Sequence, residues 1–374
     1  MELIIKKLAL QSLLDKAGSV VTGCSKEMLP VLKNFQLEAT PNQLRVLATD
    51  QDLSVISTTK MVTVNEPGEV IIPAEMLRNL TKECGDVDIT INVTGDLGKI
   101  STGKTKWDLR LMTEKYPSIP MPENIQWSAI PADKLSTAIK KVRNAAGNDS
   151  AKPEQTLIKF GALGVTATDG ARLHHCNLPI PVEFELQAGA ADLLLKILRA
   201  THSAVEESVH VAQTDSHILF QVANDVFLAT KLNVKFPVVT AILNSVKSNV
   251  LYLQLSRQEL LDGINRTRIT ADTETNKVGL SLVSNKLMLE TKDKNGNSCS
   301  EQLEVHWPNA AKTFSVNWQA LKSAISDMDN ANVLLKFGEP VGARLAPVAI
   351  EEDGFVAVIN QLRTVENAGT PAKT

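Results

Sequence analysis

Apolar residues recur along this chain with two different periods. Residues 87–93, 251–255 and 278–282 alternate between apolar and polar side chains, which is typical of half-buried β-strands. Turn signals such as Gly95-Asp96 and Gly103-Lys104 separate runs of this kind and favour hairpins. The alternation therefore predicts a large content of antiparallel sheet.

The second period is that of short, one-sided helices. An apolar stripe at helical spacing is formed by Leu135, Ala138, Ile139 and Val142. Ser256 followed by Glu259 is a capping box and predicts a helix start at that point. Together the two periods predict an α+β fold. Its short helices are expected at residues 9–17, 75–83, 133–143, 191–202, 256–267 and 318–328.

The chain also repeats itself at about one third of its length. Residues 44–50 (LRVLATD) return as 163–169 (LGVTATD), and Lys115-Tyr116-Pro117 returns as Lys235-Phe236-Pro237. Solenoid and propeller repeats are much shorter, so this distance indicates duplicated domains. We expect two helices on antiparallel sheet in each of three domains, 1–124, 125–248 and 249–364. A proline-rich link at 117–122 and a loose tail at 365–374 complete this prediction.

Composition favours an intracellular protein that lacks a metal site. The sequence has no apolar run of about 18 residues and no secretory signal pattern, so we expect a cytoplasmic location. His174 and His175 are neighbours on a predicted strand and should face opposite ways, which argues against a shared metal ion. Free thiols, with no CxxC spacing, are expected at Cys24, Cys84, Cys176 and Cys299.

A literal phosphate-loop motif, GxxxxGK[ST], occupies Gly98 to Thr105. Such a loop must lead directly into a helix, whereas Trp107 and Leu109 alternate with polar residues as in a strand. We therefore predict a hairpin and keep a nucleotide hydrolase using Lys104 as the alternative. No catalytic constellation is evident. The recurring Asp50 and Asp169 fit Asx turns at strand ends.

Charge is distributed unevenly between the predicted helices and the rest of the chain. The six helical segments carry 12 Lys and Arg against 8 Asp and Glu, whereas the remainder carries 27 against 34. Basic helices on an acidic protein suit contact with nucleic acid phosphates along one surface. The nine Phe, four Trp and two Tyr are too few to favour base stacking with single strands. Solvated lysines without a ligand remain an equally good interpretation of the charge pattern alone.

Four segments carry a resemblance to a known family. They are residues 28–32 (MLPVL), 167–173 (ATDGARL), 235–237 (KFP) and Leu362-Arg363. With the threefold repeat, they resemble the bacterial β sliding clamp, which is the beta subunit and processivity factor of DNA polymerase III. The resemblance extends from residue 1 to about residue 364, and the TDGxRL motif is its most specific part.

This resemblance implies a ring that encircles double-stranded DNA without reading its sequence. A head-to-tail homodimer of three-domain chains would close six domains, with the helices inside and the sheets outside. The ring would be non-catalytic and would need no cofactor. It would tether a DNA polymerase, and other replication or repair proteins would dock through short linear motifs, as would the clamp loader.

The resemblance also assigns roles to individual residues. The partner-peptide cleft would be formed by Thr168, Gly170, Arg172, Leu173, Pro237, Ile242, Leu345, Pro347, Val358, Leu362 and Arg363. DNA would contact Lys26, Arg78, Lys82, Lys141, Lys196 and Arg199. The apolar part of the dimer interface would contain Trp107, Leu109 and Ile269.

Some positions depart from the family pattern. Ala171 replaces a larger polar residue, Asn244 replaces a proline, and Glu75 and Met76 stand where basic residues are frequent. The departures affect partner preference more than the ring. A protein-interaction scaffold without a DNA role is the second alternative, because the net charge of the chain is only −3.

Overall fold

The computed structural model describes residues 1–21, 29–119, 121–122, 125–201, 208–247, 249, 251–338 and 345–363. In these ranges the chain passes three times through one element order: a strand, a helix, a group of strands, a second helix and three further strands. This order confirms the α+β prediction of two helices among strands in each third of the chain.

The first pass has eleven elements. They are β1 (Glu2–Lys6), α1 (Lys7–Val21), β2 (Asn34–Thr40), β3 (Gln43–Thr49), β4 (Leu53–Thr59), β5 (Val62–Glu66), β6 (Gly68–Pro73), α2 (Ala74–Glu83), β7 (Asp88–Thr94), β8 (Leu97–Thr102) and β9 (Thr105–Arg110). The second pass is β10 (Ser128–Pro131), α3 (Ala132–Arg143), β11 (Leu157–Gly161), β12 (Gly164–Thr168), β13 (Arg172–Cys176), β14 (Phe184–Gln187), α4 (Ala188–Thr201), β15 (Ser208–Gln213), β16 (His217–Val222) and β17 (Asp225–Thr230).

One additional helix, α5 (Thr240–Lys247), precedes the third pass. The third pass is β18 (Leu251–Ser256), α6 (Arg257–Thr267), β19 (Lys277–Val283), β20 (Lys286–Lys292), β21 (Ser298–Glu304), β22 (Lys312–Asn317), α7 (Trp318–Ser326), β23 (Asn332–Phe337), β24 (Val348–Glu352) and β25 (Phe355–Ile359). Single 3-10 turns lie at Pro30–Lys33, Pro153–Gln155 and Arg268–Thr270. None of the helices in the described ranges is long and apolar enough to cross a membrane.

The chain divides into two compact units. The first, Met1–Ser136 with Gly189–Asn233, holds the sheets β5-β1-β7-β8-β9 and β10-β15-β16-β17-β4-β3-β2-β6. The second, Thr137–Ala188 with Val234–Thr374, holds β14-β11-β12-β13-β25-β24-β23-β18 and β21-β20-β19-β22. The boundaries predicted at 124/125 and 248/249 stay a prediction, because this division instead cuts through residues 125–248.

Apolar helix stripes cover the sheets in each unit. In the first, α1 packs on β3 and β4 with Leu10, Leu13 and Leu14 fully buried. In the second, α6 packs on β20 and β21 and against α7. Ser256 accepts a hydrogen bond from the Glu259 amide at 3.3 Å, as the capping prediction required. The six predicted helices are thus present within a few residues of their expected bounds.

The literal phosphate-loop motif forms a hairpin. Gly98 to Thr102 belongs to β8, Gly103 and Lys104 form the turn, and Thr105 begins β9. Gly103 has φ +51°, the left-handed conformation that such a turn needs. The hairpin prediction is confirmed. Since no helix starts after Lys104, the nucleotide-hydrolase alternative loses the geometry on which it rested.

The recurring aspartates form Asx turns, as predicted. Asp50 Oδ1 accepts hydrogen bonds from the Asp52 and Leu53 amides at 3.0 and 2.7 Å. Asp169 Oδ1 accepts from Ala171 and Arg172, both at 2.9 Å. The residue after each aspartate has positive φ, +80° at Gln51 and +84° at Gly170. The turn is therefore preserved even where the first copy has no glycine.

Candidate partner cleft, charged helices and subunit edges

The base of the candidate partner cleft lies in the second unit, under α5. Strands β13 and β25 pair there, with Leu173 opposite Val358. Both side chains are 2% exposed and belong to one apolar cluster with Val246 and Ala349. Half-buried side chains of Val239, Leu243 and Val356 pack against this cluster. Leu173 and Val358 are consequently floor residues, covered from solvent in this conformation.

Exposed apolar side chains lie beside this floor. Val238 is 89% exposed and Ile242 is 41% exposed, at the start of α5. Pro237 and Pro347 are half-buried. Exposed apolar side chains next to a buried apolar cluster suit the docking of a partner with apolar side chains.

The TDGxRL turn forms the polar end of this region. Arg172 Nε lies 3.0 Å from Asp169 Oδ2, and Arg172 Nη1 donates to Ser323 Oγ at 3.1 Å. Thr168 Oγ1 donates to the Arg172 carbonyl at 2.7 Å. Asn360 Nδ2 donates to the Gly170 carbonyl at 3.1 Å. Arg172 is thereby fixed in place by its own chain.

The segment after β25 follows the same region. Gln361 Nε2 donates to the carbonyl of Ala346, which lies between half-buried Leu345 and Pro347, at 2.7 Å. The Leu362 amide donates to the Ser315 carbonyl at 2.7 Å, whereas the Arg363 side chain is exposed. These bonds tie the predicted C-terminal residues to the 345–347 segment and to β22. The predicted tail at 365–374 lies outside the described residues.

Sequence reasoning missed the helix that builds one wall of the cleft. The spacing of Val239, Leu243 and Val246 is i, i+4, i+7, which is typical of one helix face. This signal was present in the sequence, directly after the Lys235-Phe236-Pro237 motif. The helix is only eight residues long, so its pattern covers barely two turns.

The predicted DNA contacts differ in exposure. Lys196 and Arg199 are exposed on α4, Lys82 is exposed on α2, and Arg78 is half-buried on α2. Lys26 lies outside the described residues. A groove of about 400 Å³ between α1 and α2 is lined by Arg78, Lys82 and Lys33 together with the acidic Asp15 and Glu75. The α4 surface is therefore the most clearly cationic of the predicted contacts.

The prediction that Lys141 contacts DNA is wrong. Its side chain is 11% exposed, and its ammonium lies 2.5 Å from Glu352 and 2.9 Å from Asp329. Burial alone would lower the pKa of Lys141, but the hydrogen bonds to the two carboxylates outweigh it and raise the pKa. The ammonium therefore stays protonated, but its charge is balanced by the two carboxylates and is not available to a phosphate.

The adjacent histidines differ in environment, in agreement with the prediction that they face opposite ways. His174 is fully buried, and burial lowers its pKa to about 4. His175 is half-buried, and its Nδ1 lies 2.8 Å from Thr166 Oγ1. Within the described ranges no three His, Cys, Asp or Glu side chains are grouped so that they could hold a metal ion.

Comparisons with known proteins agree with the resemblance drawn from the motifs. Residues 1–120 match the family model of the DNA polymerase III beta subunit, N-terminal domain. The beta sliding clamp of Bacillus subtilis is 24% identical over 270 residues, covering 68% of this chain and 71% of that protein. The clamp of Pseudomonas putida is 22% identical over 367 residues, covering 96% and 99%. The chain is thus similar to bacterial β sliding clamps over nearly its whole length.

Solved clamps share its fold. The DNA polymerase III subunit beta of Pseudomonas aeruginosa superimposes with a TM-score of 0.85 at 20% identity, covering 97% of this chain and all of that one. The sliding clamp of Bacillus subtilis gives a TM-score of 0.85 at 21% identity, covering 97% and 99%. The three passes of one element order are thus the architecture of these clamps.

The predicted dimer-contact residues lie near open sheet edges. Strand β9 is the outermost strand of its sheet and carries Trp107, which is partly exposed, and Leu109, which is 8% exposed. Strand β21 is the outermost strand of a sheet in the other unit. Ile269, in the 3-10 turn after α6, is 79% exposed. An outermost strand has unpaired backbone groups that can pair with another chain.

Proposed function

We propose that this protein is a DNA sliding clamp that encircles duplex DNA and tethers a DNA polymerase for processive synthesis. The relationship to the β clamps over nearly the whole chain is the observation that supports this most strongly. The role is non-catalytic, since a topological tether raises the local concentration of its partner without stabilising a transition state. We infer a cytoplasmic location for such a replication protein.

In this proposal two chains associate head to tail through their open edges. Edge β9 brings Trp107 and Leu109, and edge β21 brings the nearby Ile269. Strand β9 carries Lys106, Asp108 and Arg110, whereas β21 carries Glu301 and Glu304, so the two edges have net charges of opposite sign. Pairing them would satisfy both sets of backbone groups and close three repeats from each chain into a ring.

DNA would pass through the ring against the helices. Backbone contacts from exposed side chains such as Lys196 and Arg199 carry no sequence information, which suits a clamp that moves along DNA. The strength of these phosphate contacts depends on counterion release, so the affinity for DNA should fall steeply as the salt concentration rises.

Reversing the charge of Lys196 and Arg199 together, K196E/R199E, should reduce equilibrium binding to a linear duplex at least about tenfold in low salt. A matched control is K286E/K292E, which makes the same charge change at two exposed lysines of β20. The control should change binding less than about twofold. Equal losses in both variants would show that net charge governs binding, and that α4 is not a DNA surface.

The cleft beside α5 is proposed as the docking site for partner proteins. A short linear motif with apolar anchors would bury them against Val238 and Ile242, over the Leu173 and Val358 floor. Arg172 and the 360–363 segment would border the polar end. Clamp loader, polymerase and other partners would share this one site on each chain.

Ile242→Asp should weaken binding of such an apolar-anchored peptide by at least about tenfold, because a carboxylate cannot be buried unpaired. Val283→Asp is the control, since Val283 is similarly exposed at 46% but lies at the end of β19. Fluorescence anisotropy with a labelled partner peptide measures both. If the two variants weaken binding equally, or if neither does, the peptide does not dock beside α5.

A further inference from the structure

The two junctions between successive repeats inside the chain have the same strand register. In the first unit β17 pairs with β4, with Leu228 opposite Ser54. In the second unit β25 pairs with β13, with Val358 opposite Leu173. Leu228 and Val358 each lie three residues after the first residue of their strand. Ser54 and Leu173 are each the partner of the last residue of the preceding strand, Thr49 or Thr168.

A buried ion pair ties each of these junctions to a helix. Lys16 is the tenth residue of α1, and its ammonium lies 2.6 Å from Asp225, the first residue of β17. Lys141 is the tenth residue of α3, and it bonds to Glu352, the last residue of β24. Both lysine side chains are 11% exposed. In each case the neutralising carboxylate lies next to the two-residue turn of a hairpin, β16–β17 or β24–β25. We call these the incoming hairpins, because their last strands pair with the receiving strands β4 and β13 of the preceding repeat.

The third repeat has the cation but no incoming strand. Arg266 is the tenth residue of α6 and is 56% exposed. Its guanidinium makes a two-pronged pair with Glu301, at 3.0 Å from Nε and 2.5 Å from Nη2. This pair raises the pKa of Arg266 and lowers that of Glu301. Glu301 lies on β21, the strand that corresponds to β4 and β13. At the other junctions Asp225 and Glu352 belong to the incoming hairpins, and Asp329, the second partner of Lys141, precedes β23.

The shared register shows what would face Glu301 in a second copy of the chain. Ser298 pairs with the last residue of β20 and so corresponds to Ser54 and Leu173. Asp108 lies three residues after the start of β9 and so corresponds to Leu228 and Val358. Setting Asp108 opposite Ser298 of the partner subunit places Thr105 opposite Glu301 of the partner subunit.

The first intrachain junction has the reverse arrangement of the hydroxyl and the carboxylate. There the acid, Asp225, is on the incoming strand, and the hydroxyl is on the receiving strand, where Ser57 Oγ donates to Asp225 Oδ1 at 2.6 Å. At the subunit junction the hydroxyl, Thr105, is incoming and the acid, Glu301, is receiving. The incoming β8–β9 hairpin ends on the pair Thr102 and Thr105 and has no carboxylate there.

We propose that the ion pair which crosses each intrachain junction is confined to one subunit at the junction between subunits. This inference rests on the proposed function, because it requires the head-to-tail dimer. Arg266 keeps its carboxylate whether the junction is closed or open. The ring can therefore open between subunits without leaving Arg266 unpaired. Opening either intrachain junction would instead separate Lys16 or Lys141 from its carboxylate.

The test exchanges the two groups. Glu301→Ser leaves Arg266 without a carboxylate when the junction closes. Thr105→Asp sets a second carboxylate opposite Glu301 of the partner subunit. Each single change should therefore weaken the dimer by about fivefold. The double variant T105D/E301S recreates the Asp225 and Ser57 arrangement across the subunits. Its dimer should be within about twofold of wild type or tighter, which is a coupling of at least about tenfold.

Sedimentation measures the dimer dissociation constant of each variant. The control T94D/E301S makes the same charge changes but places the new aspartate at the far end of the β7–β8 hairpin, where Thr94 is exposed. This control should show no rescue. Additive losses in T105D/E301S, or equal rescue by T94D, would overturn the inference while the dimer stands. A wild-type chain that stays monomeric would instead refute the proposed function and this inference with it.

Discussion

Replacing Trp107 by cysteine should give a covalently closed ring under a mild disulfide oxidant. The shared register sets residue 107 opposite Cys299 of the partner subunit, and Cys299 is a partly exposed free thiol. Directly opposed residues of antiparallel strands have Cα atoms about 4.5–5.5 Å apart, within disulfide range. Two such bonds join each dimer, and non-reducing electrophoresis should show nearly complete conversion to a covalent dimer.

The matched control moves the new cysteine by one residue. Asp108→Cys lies opposite Ser298 and points to the other face of the strand, so it should form little covalent dimer. Wild-type protein, with its native cysteines, should form almost none under the same oxidant. Equal crosslinking of both variants would mean that the edges do not adopt the register found at the two intrachain junctions.

Replacing Asp225 by alanine should destabilise the first unit by about 3 kcal/mol. The change leaves the Lys16 ammonium without its carboxylate, although that side chain is only 11% exposed. It also removes the acceptor of the Ser57 hydroxyl and of the Thr58 amide, which lie 2.6 and 3.2 Å from Asp225 Oδ1. A lower midpoint in urea unfolding, followed by circular dichroism, measures the loss.

Asp96→Ala is the control for this prediction. Asp96 pairs with Arg110 at 2.9 Å, but the two side chains are 59% and 83% exposed. An exposed pair contributes about 0–1 kcal/mol, so the midpoint should barely move. If Asp225→Ala were as mild as Asp96→Ala, the buried tie between α1 and β17 would not stabilise the junction.

The repeated architecture could be predicted because it depends on local patterns. Alternation, turn residues and the capping serine each constrain a few neighbouring residues, and the structure agrees at the Gly103-Lys104 hairpin and at Ser256. The Asx turns at Asp50 and Asp169 were predictable for the same reason. Their geometry is set within four residues of the aspartate.

The charged helix surfaces could be predicted only in part, because burial depends on distant segments. Lys141 and Lys196 both lie on predicted helices, Lys141 between Lys140 and Val142 and Lys196 between Leu195 and Ile197. Glu352, 211 residues from Lys141, pairs with it and neutralises it, whereas Lys196 stays exposed. Neither set of sequence neighbours shows which of the two lysines is buried. The extent of sheet pairing between repeats, which buries Lys141, is likewise a long-range property.

The three junctions show that equivalent positions of the repeats can have different ion-pair partners. The tenth helix residue is a cation in all three repeats, but its carboxylate comes from the incoming hairpin twice and from β21 once. The sequence repeat alone does not reveal this change. It requires the strand register, which relates Asp225 to Thr105 and Ser57 to Glu301.

A threading experiment with the crosslinked Trp107→Cys ring tests the central claim most directly. The closed ring is mixed with a linear duplex blocked at one end, the other end is then blocked, and the complex is washed in high salt, which removes electrostatic binding. A ring that encircles DNA should stay on the doubly blocked duplex and leave when a nuclease cuts it. Loss of the ring in the salt wash despite both blocks would contradict the proposal that this protein encircles DNA.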